Sequence, residues 1–313
     1  MRNYFLPTGL IFAFLFAWFF PEPGQQLEQQ GLILWMVVII FLVNGYKTRP
    51  EQLSGDLSLL KTIILAILIN LLISPFLALA VVTLLHIPAD LALGLIVISS
   101  VPATLSSCIV ITQIAGGSAP KALLLTLLLN IIGVFSIPFI LKLILEQMDL
   151  LSLSPWPLLQ QLLLIILLPF ITGMLLRVIL PQYDRHRLLA YLPSGCVIAT
   201  VWLSMSASTE TLRQLNLPVL LWITLASISI HCSLLLLCWL SRLIHPSEYG
   251  EWLALLFSAS QKTLPVAVGV LTALKQSAGL ALLACIIFHF QQLFIDSMLA
   301  SWLEKNSLKP FRL

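Results

Sequence analysis

The chain has little charge: Asp, Glu, Lys and Arg make up 9% of its 313 residues, against 59% that are hydrophobic. An ordinary soluble domain, about 25% charged, is excluded. The net charge of +3 is spread over short polar stretches, with no basic patch, so nucleic acid is excluded as a partner. Cysteines are few, and Cys108, Cys196, Cys232, Cys238 and Cys285 lie in apolar runs without metal-ligand spacing. A disulfide framework or a zinc site therefore has no basis. Also missing are an Asp-rich motif, His-Glu-x-x-His and Gly-x-Ser-x-Gly, so an enzyme acting on a lipid-linked substrate would lack its acids, metal or nucleophile.

What is present is a succession of long apolar runs, with mean hydropathy +1.04. They predict an all-α polytopic membrane protein with ten spans, at approximately 4–20, 29–47, 58–85, 89–115, 118–147, 155–180, 186–208, 216–244, 250–275 and 278–302. The first run carries only Arg2 ahead of it and no small-residue cleavage pattern before Pro21-Glu22-Pro23, and is read as a span rather than a signal peptide. With the amino terminus in the cytoplasm, that side holds Arg2, Lys47, Arg49, Lys61, Lys121, Arg177, Arg185, Arg187, Arg242, Lys305, Lys309 and Arg312. The opposite side holds Lys142, Arg213 and Lys275. Twelve against three places both termini in the cytoplasm, in the plasma membrane or bacterial inner membrane.

Lys262 remains, inside the ninth span. It lies about 12 residues from either end, roughly 18 Å of helix, whereas a lysine side chain reaches only about 6 Å. It must face protein or cavity water, and it marks the floor of a binding site. Around it, Ser258-Ala259-Ser260-Gln261-Lys262-Thr263-Leu264-Pro265 predicts a broken helix. The fourth span carries a matching interruption, Ser99-Ser100-Val101-Pro102-Ala103-Thr104-Leu105-Ser106-Ser107. Ten spans divide as five plus five, and an odd number per half inverts the second half. Interrupted spans at corresponding positions then point to a secondary-transporter site at the bilayer midplane.

Other polar residues deep in spans are Asn70 ahead of Ser74-Pro75, Thr126 and Asn130 four apart in the fifth span, where a kink is expected near Ser136 and Pro138, and His289, Gln292 and Asp296 along one face of the tenth. Each alone also reads as glue between helices. Lys262 and Asp296 pair, or Asp296 lies exposed at a helix end; spacing leaves both open.

Pro102-Ala103-Thr104-Leu105-Ser106-Ser107, then Gln113-Ile114-Ala115-Gly116-Gly117, Ser260-Gln261-Lys262-Thr263-Leu264, and Phe288-His289 followed by Gln292, resemble the bile acid:sodium symporter family. The likeness is nearest to its SBF-like branch, with bacterial sodium-dependent transporters and the solute carrier 10 member 7 type. It covers nearly the whole chain. The resemblance implies ten helices in a 5+5 inverted repeat in which broken helices 4 and 9 cross. Panel helices 1–2 would occupy 1–55 and 6–7 would occupy 151–212; core helices 3–5 would occupy 56–150 and 8–10, with a cytoplasmic tail, 213–313. It implies Ser107, Thr126, Asn70 and Gln261 as candidate sodium ligands, and a solute and ion pathway that also includes Lys262, Thr263, Ser260, Ser258, Pro102, Thr104, Ser106, Asn130, His289 and Gln292.

The chain departs from that pattern where relatives have an asparagine (here Cys108), a second site serine (here Ala122) and the glutamate that bridges both sodium ions (here near Phe257). Hard cations want oxygen ligands and negative charge. The expectation is a carrier of a small organic, anionic solute working by alternating access, without a cofactor. Its coupling ion is sodium, or more in keeping with these residues a proton or none, the Lys262 ammonium standing in for sodium. The alternative is a membrane regulator of ion homeostasis that transports nothing. The partners expected are the solute and the lipid bilayer, with the oligomeric state open and a monomer compatible.

Overall fold

Runs of Leu, Ile, Val and Ala in hydrocarbon fold as helices, because only helices and closed barrels satisfy every backbone polar group internally. The computed structural model describes residues 2–48, 59–148, 154–181, 187–213, 217–275 and 279–307, and these are helical with no strand among them. The helices are α1 (Arg2–Phe19), α2 (Pro21–Gln29), α3 (Leu32–Lys47), α4 (Leu60–Leu84), α5 (Ala89–Ser100), α6 (Ser107–Ile114), α7 (Ala119–Gln147) and α8 (Pro155–Ile179). There follow α9 (Arg187–Ala207), α10 (Thr209–Arg213), α11 (Leu217–Ile244), α12 (Tyr249–Ser260), α13 (Leu264–Ala273) and α14 (Leu280–Ser307). Among the described residues, α4, α7, α8, α11, the stretch α12 to α13 and α14 are long and apolar enough to cross a bilayer. The chain is a polytopic helical membrane protein. Arg49, Arg185, Lys309 and Arg312, and the expected span starts at 58, 186, 216 and 278, lie outside the described residues.

Prolines shape the helices. Pro21 and Pro23, expected to lie between spans, instead begin α2, where a missing N–H costs nothing. α2 meets α3 at 77°, turning at Gly31 with φ +76°. Inside α4 a π turn, Leu68–Ile73, precedes Pro75, and inside α8 another, Leu163–Leu167, precedes Pro169. The proline ring cannot sit against the carbonyl four residues back, and the helix widens to accommodate it. α7 continues as one helix through Pro138.

Every residue from Leu91 to Ser100, from Glu251 to Ser260 and from Leu264 to Leu271 is buried. Helices that are apolar all round belong in the middle of a bundle. α5 and α12 are wrapped by α4, α7, α11 and α14, and α13 packs on α5 and α14. Separately, α3 packs on α8 and α9, while α1 and α2 pack on α9. Glycines allow the closest crossing: a Cβ on Gly45 of α3 would lie 2.0 Å from the Phe170 carbonyl oxygen, and one on Gly173 of α8 2.0 Å from that of Leu42. The two groups meet where α13 touches α3 and α7 touches α8.

Candidate functional site

The site is built from two helix breaks. Pro102 bars Val101 from helical geometry, and Val101 is extended at φ −84°, ψ 156°. Gln261 and Thr263 are extended too (φ −76°, ψ 155° and φ −99°, ψ 117°), and Pro265 then falls in the first turn of α13. The breaks touch: Thr263 N–H donates to the Pro102 carbonyl (2.9 Å) and the Thr104 hydroxyl to the Lys262 carbonyl (3.0 Å).

Lys262 is fully buried at this crossing. Its Nζ donates to the carbonyls of Asn70 (2.5 Å) and Val101 (3.1 Å). Both are free for local reasons. In the π turn Ser74 N–H bonds Ile69 O, five residues back, and the next donor in that pattern would be residue 75, a proline. Asn70 O is left without a backbone donor, and the ammonium takes it. Val101 O stands just past the C-terminus of α5, whose partial negative charge favours a cation.

Side chains tie the remaining loose ends. Asn70 Nδ2 caps the end of α12, donating to Ser258 O (3.3 Å), Ala259 O (3.0 Å) and Gln261 O (2.9 Å). One turn on, Ser74 donates to Ser99 O at the end of α5 (2.9 Å). Asn130 donates to Ala103 O in the first break (2.9 Å). Gln292 treats Lys262 as a neighbouring strand would: Oε1 accepts its N–H (2.9 Å) and Nε2 donates to its carbonyl (2.6 Å).

Gln261 Oε1 accepts from the Ser107 hydroxyl (3.0 Å), while its Nε2 donates to Asp296 Oδ2 (2.7 Å). Asp296 Oδ1 meets His231 Nε2 at 2.9 Å, with both side chains buried. This resolves the two alternatives left by the sequence: Asp296 is buried, not at an exposed end, and its partners are His231 and Gln261 rather than Lys262. Of the other pathway residues, Ser258 meets Cys108 Sγ (3.2 Å), and Thr126 and Ser260 donate back into their own helices. The four candidate sodium ligands do not present a free set of acceptors. The Asn70 carbonyl serves Lys262, Gln261 Oε1 serves Ser107, and Phe257 is buried carbon where a bridging acid would stand, although Asn70 Oδ1 is buried without a partner.

On the other side of the crossing a narrow crevice, with a cavity volume of about 50 Å³, opens between the two helix groups. Core residues Thr104, Ser106, Ser107, Asn130, Thr263 and His289 line it, facing Ile40, Phe41 and Asn44 of α3 and Pro193, Ser194 and Val197 of α9. The N-termini of α6 and α13 abut it, and these carry partial positive charge. Lys262 does not line it; its ammonium is directed to the carbonyls on the far side of the crossing.

Two features escaped sequence reasoning. His231 is 65 residues from Asp296 and sits alone in an apolar run, so spacing gave no signal. At one end of the bundle the buried Glu251 accepts from Thr62 and from Lys121 Nζ (2.7 Å), with His245 3.7 Å away, joining α4, α7, α12 and the residue after α11. An acid at the second residue of a predicted span was the available clue.

Paired discontinuous helices that meet at full burial beside a crevice are a feature of membrane transporters of the broken-helix class. Residues 3–305 match the SBF-like CPA transporter family, and the chain belongs to it. It is 28% identical over 321 residues to "Probable sodium/metabolite cotransporter BASS4, chloroplastic" of Oryza sativa subsp. indica, covering 96% of this chain and 75% of that one. The protein of the same name in Arabidopsis thaliana is 26% identical over 318 residues (96% and 73%). An uncharacterized protein of Pseudomonas aeruginosa is 25% identical over 323 residues (96% and 93%).

Proposed function

We propose that the protein is a secondary transporter that carries a small organic anion across the bacterial inner membrane by alternating access. Its ten spans form two inverted halves of five, with α5–α6 and α12–α13 as discontinuous spans four and nine and both termini in the cytoplasm. The panel comprises α1 to α3 with α8 and α9, the core the helices around the crossing, and the solute binds in the crevice between them. The grouping of helix contacts supports this division.

The observation that carries the reading is the Lys262 ammonium, held by two carbonyls where the broken helices meet. It supplies a positive charge at a place where a carrier of this class binds a cation. The plant relatives bear the name of sodium/metabolite cotransporters, which supports ion coupling as such. The occupied acceptors and the apolar Phe257 favour a cycle without sodium, driven by a proton gradient or by the solute's own gradient.

The test is uptake of labelled small carboxylates into proteoliposomes under imposed sodium and proton gradients. Accumulation insensitive to sodium is the expected result. Sodium-dependent uptake indifferent to pH differences refutes the coupling proposed. Absence of both exchange and ligand stabilisation favours the non-transporting regulator.

A further inference from the structure

Gln292 does more than hold the second break, because its amide also decides which nitrogen of His289 carries the proton. Its orientation is fixed by Lys262: the oxygen must face the Lys262 N–H (2.9 Å) and the nitrogen the Lys262 carbonyl (2.6 Å). The same nitrogen lies 2.9 Å from His289 Nδ1. An amide nitrogen can only donate, so Nδ1 accepts, and the neutral imidazole carries its proton on Nε2. The nearby Lys262 carbonyl, 3.3 Å from Nδ1, is then a neighbour and not a partner. Nε2 has no protein partner among the described residues, and the ring, 97% buried given its 3% exposure, lines the crevice beside the first turn of α13.

We propose that Gln292 is a positioning residue for solute binding: it locks His289 as an Nε2–H donor, which, with the N-terminal end of α13, receives a carboxylate in the crevice. The inference rests on the anionic-solute reading above and adds the group that recognises the anion. An N–H directed at the crevice favours an acceptor, and the partial positive charge of the helix end favours a negative one. Lys262 contributes through its backbone, by orienting the Gln292 amide, and not through its ammonium.

The test uses the purified full chain in detergent, with lactate and its neutral amide lactamide as probes at constant ionic strength, read by thermal unfolding. Lactate, and not lactamide, is expected to stabilise the wild type. His289→Gln places an amide nitrogen near the position of Nε2 and should retain lactate binding. His289→Asn has its polar atoms at the Nδ1 position and should weaken it about tenfold or more, the effect of losing one hydrogen bond to a charged group. Gln292→Glu offers acceptors only, draws the histidine proton to Nδ1, and should weaken binding equally. Equal lactate binding by the wild type, His289→Asn and Gln292→Glu overturns the inference while leaving the anionic-solute reading intact. A wild type stabilised no more by lactate than by lactamide removes both. Nitrogen NMR of histidine-labelled wild type gives a readout independent of variant folding: His289 is expected as the Nε2–H tautomer, and a proton on Nδ1 refutes the assignment.

Discussion

Replacing Lys262 by Met separates the charge from the bulk, since the methionine chain fills most of the same buried space. Two hydrogen bonds are lost, to Asn70 O and Val101 O. Interhelical hydrogen bonds in membranes are worth about 0.6 to 2 kcal/mol each, so the loss is roughly 1 to 4 kcal/mol. In the other direction, no carboxylate among the described residues pairs with this ammonium, and removing an ion so deeply buried relieves a desolvation penalty of several kcal/mol. The opposed terms are of similar size, so Lys262→Met should insert and unfold within a few degrees of the wild type in a detergent thermal assay. Transport should fall to background, because the charge proposed to stand in for a bound cation is gone. Lys262→Ala should be equally inactive, and less stable because it leaves a cavity; methylamine, small enough to enter it, should restore part of the uptake. Wild-type uptake by Lys262→Met would refute the role assigned to the charge. A variant that does not insert would refute the energetic argument.

Other substitutions test the frame around the lysine. Asn70→Leu uncaps the Ser258, Ala259 and Gln261 carbonyls and should cost about 2 to 4 kcal/mol in thermal or denaturant unfolding, against under 1 kcal/mol for a lipid-facing substitution on the same helix. Asp296→Leu and His231→Leu should each destabilise by about 3 to 5 kcal/mol, and the double variant by clearly less than the sum, as a double-mutant cycle on unfolding reads directly. Gly94→Val drives a Cβ to within 2.0 Å of the Ala281 carbonyl oxygen and should cost about 1 to 3 kcal/mol or prevent assembly, measured by size exclusion and thermal unfolding.

Much of the frame could be read from residues alone. Both interruptions fell where proline, serine and threonine broke an apolar run, because backbone without a helical partner must find one and small hydroxyl residues mark where that happens. The depth of Lys262 was legible for a similar reason: the length of a lysine side chain is fixed, and so is helix rise. What it would touch was not legible. Its acceptors lie 192 and 161 residues away in sequence, and both are main-chain carbonyls, which no residue type advertises. The Asp296–His231 pair was hidden because helical spacing relates residues within one span and is silent between spans. α2 was missed because its nine mostly polar residues fall between two apolar runs, although proline is well suited to a first turn.

Pro75 offers a separate way to reach the lysine, since the carbonyl that Lys262 uses is free only because residue 75 has no N–H. Asn70 and Ser74 are four apart on α4, and each caps one discontinuous helix. The ammonium pins the same turn of α4 to the crossing. In Pro75→Ala the new N–H lies in register to bond Asn70 O, five residues back, and competes with Nζ for it. The fold should not suffer: the α4 ladder gains a bond, and interior proline disfavours a helix by about 3 kcal/mol relative to alanine. Thermal stability should therefore hold or rise while the lysine loses its shorter contact and transport slows. That combination distinguishes a functional pin from a merely structural one, for which uptake would follow stability. Pro75→Ala that is stabilised and transports at the wild-type rate would show that the Asn70 carbonyl is dispensable, and that Val101 alone suffices to hold the charge.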